Sequence, residues 1–204
     1  MYTRGKRMYN NRMNNATGNA LESLYVETFS ASYGPVTVAA SERGIVTLDF
    51  DAGGRQRARE AAGLCLRAEG ACPFPVEELL LAYLKGRLRA FTIPVVSALP
   101  GPSPRNPLEA CLWQTLRTVP FGAAVTLTEL ARRAGCARRV HYVAGLLARN
   151  PVPILLPCHR VWEENEAFQP YVYPGGPGWK SALLRLEGIR VAAAPPHGDD
   201  DDDD

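Results

Sequence analysis

The sequence predicts an α+β protein: a small α/β domain followed by a mostly helical domain that carries a helix-turn-helix. Three observations predict it. Strand-like runs separated by turn signals fill residues 24–50, helical periodicity takes over at residue 76, and a proline-rich stretch at residues 99–106 separates these from a second part that reads almost wholly as helices.

Leu24 to Phe29, Val36 to Ala40 and Gly44 to Phe50 are the predicted strands. Tyr33-Gly34-Pro35 and Glu42-Arg43-Gly44 are the turns that join them into an antiparallel meander. Arg55 to Ala68 and Val76 to Leu88 are predicted helices, the second with Leu79, Leu80, Tyr83 and Leu84 at helical spacing. Phe91 to Val95 is predicted as one more strand. Pro100, Pro102 and Pro104 exclude helix and central strand, so residues 99–106 read as a linker. Asn106 then caps a helix starting at Pro107, whose expected buried stripe is Leu108, Cys111, Leu112 and Leu116. Thr126 caps a short helix, Leu127 to Ala134; Gly135 ends it, and a second helix is expected from Ala137 to Arg149. Short helix, glycine turn and longer helix is the helix-turn-helix pattern.

The expected organisation is a basic, asparagine-rich disordered arm (1–20), an α/β domain (21–98), the linker (99–106), a second domain (107–192) and an acidic disordered tail (193–204). The 204 residues are 46% hydrophobic and 22% charged, which excludes a wholly disordered or collagen-like chain. No apolar run is long enough to cross a bilayer and residues 1–20 lack a signal core, so a cytoplasmic protein with reduced thiols is expected. Of 23 basic and 21 acidic residues, four basic ones lie in the first fourteen positions and six acidic ones in Asp199 to Asp204, which leaves the body at net +4. That balance is compatible with a nucleic-acid partner. Arg132, Arg133, Arg138 and Arg139 flank the turn of the helix pair, where arginines hold phosphates. Five cysteines without a CxxC pair, and three histidines without ligand-like spacing, give no support for a metal site, and no cofactor is expected.

The residues richest in chemistry are Asn150 to Trp162, NPVPILLPCHRVW. Pro151, Pro153 and Pro157 stop the preceding helix and hold the segment extended, so Cys158 is positioned by its backbone. A thiol is only a few per cent ionised at neutral pH, so a nucleophilic cysteine needs a base or a positive field beside it. His159 is the candidate base, with a carboxylate to orient it.

The string Pro157-Cys158-His159-Arg160-Val161, preceded by Asn150-Pro151-Val152-Pro153-Ile154, resembles the active-site signature of the O6-alkylguanine-DNA alkyltransferases. Val119-Pro120-Phe121-Gly122, Leu130-Ala131 with Gly135, Tyr173, Gly175-Gly176, Lys180 and Leu186-Glu187-Gly188 are collinear with that family, and the likeness runs more weakly through Ala40 to Gly44. The resemblance implies an RNase H-like α/β domain followed by a winged-helix-like, DNA-binding domain. It implies a single irreversible transfer of an alkyl group from guanine O6 in duplex DNA to Cys158, with His159 as water-assisted base, Glu187 orienting it and Asn150 bracing the turn. It places Leu127, Val161, Tyr173, Pro174 and Gly175 in the substrate pocket. Arg138, Arg139, His141, Tyr142, Ala144 and Gly145 fall on the DNA-binding helix, which enters the minor groove of a duplex whose damaged base is rotated out. A monomer with no membrane partner is implied.

Three places depart from the family. Leu127 stands where a tyrosine donates to guanine N3, and His141 stands where an arginine fills the vacated stack, with Tyr142 in place of a small neighbour. Pro174 stands where a serine offers a backbone N–H to guanine O6. Loss of one such donor costs on the order of 10² in rate. A damage-binding protein on the same scaffold is the alternative: Cys158 argues for transfer, Leu127 and Pro174 for binding alone. An ordinary DNA-binding regulator leaves Cys158, Asn150 and Glu187 unexplained.

Overall fold

The computed structural model describes residues 25–32, 34–50, 72–96, 107–162 and 176–190. The basic arm, the helix expected at 55–68, the linker with its Asn106 cap, Tyr33 and the acidic tail lie outside the described residues.

Strands β1 (Tyr25–Ala31), β2 (Gly34–Ser41) and β3 (Gly44–Asp49) form the expected antiparallel meander in the order β1-β2-β3. Tyr25 faces Ala40 and Thr37 faces Asp49, with a register shift between Ala39 and Ala40. Every residue of β3 and all but the first two of β2 are buried, so both faces of this small sheet are covered. The strand expected over Phe91 to Val95 is a correction: it reduces to one parallel bridge between Ile45 and Val95. Ile45 donates to Pro94 O at 2.9 Å and accepts from Val96 N at 2.9 Å, and Pro94, having no N–H of its own, cannot carry a ladder further. The two segments approach so closely that a Cβ at Gly44 would lie 2.5 Å from Pro94 O, which only glycine permits.

Helix α1 (Val76–Leu84) buries Val76, Leu80 and Tyr83, an i, i+4, i+7 face; of the expected stripe Leu80 and Tyr83 are buried and Leu79 and Leu84 half-buried. It stops four residues short of the expected Leu88, because Gly86 N–H and Arg87 N–H turn back to Tyr83 O and Ala82 O. In α2 (Pro107–Arg117), Leu112, Trp113 and Leu116 are buried while Cys111 is exposed, so Trp113 rather than Cys111 belongs to the core stripe. The Thr126 hydroxyl accepts from Glu129 N at 3.0 Å and caps α3 (Leu127–Arg133). Gly135, at φ 73°, makes the turn. The second helix of the pair begins as a 3-10 turn over Ala137–Arg139 and continues as α4 (Val140–Ala148), which buries Val143 and Leu146 against α3.

Two short strands, β4 (Val125–Thr126) and β5 (Val161–Trp162), pair in parallel and tie the start of α3 to the segment after Cys158. Helix α5 (Gly176–Leu186) closes the described chain. The two halves share one apolar core. Leu48 N of β3 donates to Pro151 O at 2.8 Å, and Phe50 stacks on Trp179 with ring centroids 4.2 Å apart. The sheet is thereby fastened to the loop that carries the candidate chemistry. No helix among the described residues is long and apolar enough to cross a membrane.

Candidate active site

The chain leaves α4 at Asn150, which is fully buried and organises the next eight residues through its side-chain amide. Its Oδ1 accepts from Val152 N at 3.0 Å, and its Nδ2 donates to Leu156 O at 2.7 Å and to Cys158 Sγ at 2.9 Å. Val152 O in turn accepts from Leu156 N at 2.9 Å. Within this closed loop Ile154 sits at φ 72°, a left-handed conformation that costs a β-branched residue about 1–3 kcal/mol. Its burial and the amide bonds on either side enforce it.

Pro157 leads into a 3-10 turn over Cys158–Arg160, in which all three residues are buried. The side chains of His159 and Arg160 meet Glu187, which follows the last residue of α5 and has no exposed side-chain surface. Glu187 Oε1 accepts from His159 Nε2 at 2.9 Å and from Arg160 Nη2 at 2.8 Å, and Oε2 accepts from Arg160 Nε at 2.9 Å and from Gly122 N at 3.2 Å. Arg160 Nη1 also donates to Val119 O at 2.6 Å, which ties the turn to the segment before β4. A third side chain on Glu187, Tyr83 of α1, donates from Oη to Oε1 at 2.5 Å and lies 3.4 Å from His159 Nε2.

The electrostatics follow from this geometry. Burial opposes ionisation of Glu187, but the donors on it, His159 and Arg160 foremost, outweigh that and hold its carboxyl at about 2. Burial also pushes the His159 imidazole below its ordinary value, against the pull of Glu187, and the positive fields of Arg160 and Lys180 act in the same direction as burial. His159 is therefore neutral near pH 7. With Nε2–H directed at the carboxylate, Nδ1 holds the lone pair, and Nδ1 is buried with no hydrogen-bond partner among the described residues. A neutral imidazole oriented by a buried carboxylate, adjacent in sequence to a thiol that receives an amide donor, is equipped to take a proton from sulfur and stabilise the thiolate.

Cys158, His159, Glu187 and Asn150 thus come together. Leu127 is the buried first residue of α3, directly after β4, and Val161 on β5 pairs with Val125, two residues before Leu127. Tyr173, Pro174 and Gly175 lie outside the described residues. Arg138, Arg139, His141 and Tyr142 are exposed, and Ala144 and Gly145 half-buried. Positions 138, 141, 142 and 145 follow helical spacing, and a Cβ on Gly145 would meet nothing within the molecule. Arg132 and Arg133 are exposed and pair with Glu129 on their own helix, each at 2.7 Å. Lys180 Nζ donates to Val161 O at 3.0 Å and fixes β5. Tyr83 is the site residue the sequence did not single out: it lies on an apolar helix face, 104 residues from the carboxylate it touches, and nothing local marks it.

Comparison with known proteins agrees with this geometry. The family described as "6-O-methylguanine DNA methyltransferase, DNA binding domain" matches residues 107–189, and its "ribonuclease-like domain" matches residues 24–96. The chain is 44% identical over 78 residues to a methylated-DNA–protein-cysteine methyltransferase of Mus musculus. That match covers 38% of this chain and 36% of the mouse protein, so the chain spans little more than a third of that relative. A protein of the same name from Shigella flexneri is 31% identical over 122 residues, covering 60% of this chain and 67% of its own. The crystal structure of Mycobacterium tuberculosis OGT in complex with DNA superposes with a TM-score of 0.66 at 25% identity, covering 81% of this chain and 93% of that one.

Proposed function

Since the chain belongs to the 6-O-methylguanine DNA methyltransferase family, we propose that it repairs DNA by moving an alkyl group from guanine O6 to Cys158, once per molecule. The observation that carries this reading is the buried Glu187 and His159 pair beside a cysteine whose sulfur receives Asn150 Nδ2 at 2.9 Å. In the proposed step His159 Nδ1 takes the thiol proton, directly or through a water, and Glu187 stabilises the imidazolium that forms. The thiolate attacks the alkyl carbon in line; the S–C bond forms as the C–O6 bond breaks, and the electron pair leaves on the guanine, which takes up a proton. A soft sulfur nucleophile suits displacement at carbon. The thioether has no good leaving group, so the reaction ends there.

The partner is a DNA duplex carrying O6-alkylguanine. Support comes from the exposed stripe of α4 and from the DNA held by the structural relative. His141 and Tyr142 face the minor groove in this reading, and the target base rotates out of the stack toward Cys158. A groove with a degenerate code suits a protein that must accept any flanking sequence. The proposed working state is a cytoplasmic monomer with Cys158 reduced.

The test uses an O6-methylguanine duplex labelled on the methyl carbon, followed by peptide mass mapping. One label per chain, on Cys158, and none with Cys158→Ser, is the expected result. Tight binding to the damaged duplex without transfer would replace this reading with that of a damage-binding protein.

A further inference from the structure

We propose that Tyr83 is a positioning residue of the transfer site: its phenol holds Glu187 Oε1 in place beside His159 Nε2 and shares that oxygen's charge, so that His159 remains a neutral base. The kinetic part rests on the transfer reading above; the effect on the imidazole rests on the geometry alone. The role gives the sheet-bearing half of the chain a direct part in the chemistry, through a hydroxyl at the last turn of α1.

Packing alone does not require that hydroxyl. The Tyr83 ring lies against Phe91, centroids 5.2 Å apart, and edge-on to Phe121 at 6.1 Å, contacts a phenylalanine would keep. The oxygen, by contrast, is within hydrogen-bond reach of both the carboxylate that orients the base and the base itself. Glu187 Oε1 accepts from His159, from Arg160 and from Tyr83. Donors that share one oxygen each reduce the negative charge the others meet, so removing the phenol strengthens the pull of the carboxylate on the imidazole. Burial and the adjoining carboxylate push the phenol's own ionisation above its ordinary value, which keeps it a donor throughout the working range.

The charged and titratable groups around His159 are Glu187 and Lys180 from the C-terminal helix region, Arg160 and Cys158 from its own turn, and Tyr83 from α1. Glu187 raises the imidazole's proton affinity, and burial, Arg160 and Lys180 lower it. Tyr83 acts on the one group that raises it.

The experiment uses the full chain with Tyr83→Phe, and with 3-fluorotyrosine placed at position 83 as a stronger donor of nearly the same shape. The chain has three histidines, so ring nitrogen NMR of the DNA-free protein resolves His159. The phenylalanine variant is expected to move the His159 titration to higher pH by about half a pH unit or more, and the fluorotyrosine chain to move it lower. Single-turnover methyl transfer is expected to fall about threefold on the acid limb of its pH profile in Tyr83→Phe, that limb being displaced upward by the same half unit, with affinity for undamaged duplex unchanged. A His159 titration and an acid limb that stay where they are in the unaltered chain would overturn the proposal, whatever happens to stability. Should Tyr83→Phe not fold, the fluorotyrosine chain decides on the same titration. If the unaltered chain transfers no label, the transfer reading fails while the titration still judges Tyr83.

Discussion

Glu187→Gln keeps the size of the side chain and removes its charge, and the structure sets the cost. The carboxyl is held at about 2 against an ordinary 4.5. Each tenfold change in proton affinity is about 1.4 kcal/mol, so the ionised form is favoured in the fold by about 3 kcal/mol. Leaving the buried Arg160 guanidinium without its counter-charge gives a similar figure, about 3–5 kcal/mol. Because the folded value lies below the unfolded one, this stability is fully present above pH 4.5 and is lost as pH falls from there toward 2. Urea unfolding of both proteins from pH 7 to pH 2.5 should show Glu187→Gln less stable by about 3 kcal/mol at neutral pH, with the gap narrowing below pH 4.5. His159, held below its ordinary 6.5 chiefly by burial, also loses stability as pH falls below 6.5. A gap absent at pH 7, or constant down to pH 3, would refute the claim that Glu187 is ionised and paired in the fold.

Two further predictions bear on substrate and duplex. Leu127→Tyr supplies a hydroxyl donor at the start of α3, and single-turnover transfer should quicken about tenfold or more; an unchanged rate would remove this position from the pocket. Replacing Arg138 and Arg139 together by alanine should weaken binding to undamaged duplex and lower the slope of log affinity against log salt by about 2. An unaltered slope would place those exposed arginines off the phosphates.

What the sequence disclosed was local. The meander was legible because β-branched alternation and glycine turns are written within a few residues of one another. Phe91 to Val95 misled because its apolar pattern outweighed Pro94, whose missing N–H limits the segment to one bridge. The pairing of Arg132 and Arg133 with Glu129, three and four residues before them, is likewise written in helical spacing. Cys158 and His159 are adjacent and were found together, and Asn150 and Glu187 were assigned their roles only through collinearity with a family. Tyr83 could not be found in either way: a tyrosine in an apolar stripe reads as core, and only the tertiary fold brings its hydroxyl to a carboxylate 104 residues away.

The arrangement also answers why an arginine follows the histidine. A lone buried carboxylate would draw a proton onto its imidazole and leave a base already protonated. Arg160 gives Glu187 a counter-charge through paired hydrogen bonds, and its own positive field disfavours a second cation next door. The carboxylate therefore stays ionised enough to stabilise an imidazolium when one forms, yet does not hold one at rest. Such a site is costly to open, since a buried ion pair, a strained Ile154 and the amide of Asn150 interlock. In the proposed reaction that carries no penalty. The alkyl group stays on sulfur, so a reagent used once has only the repaired base to return to its duplex and no alkyl product to release from the core.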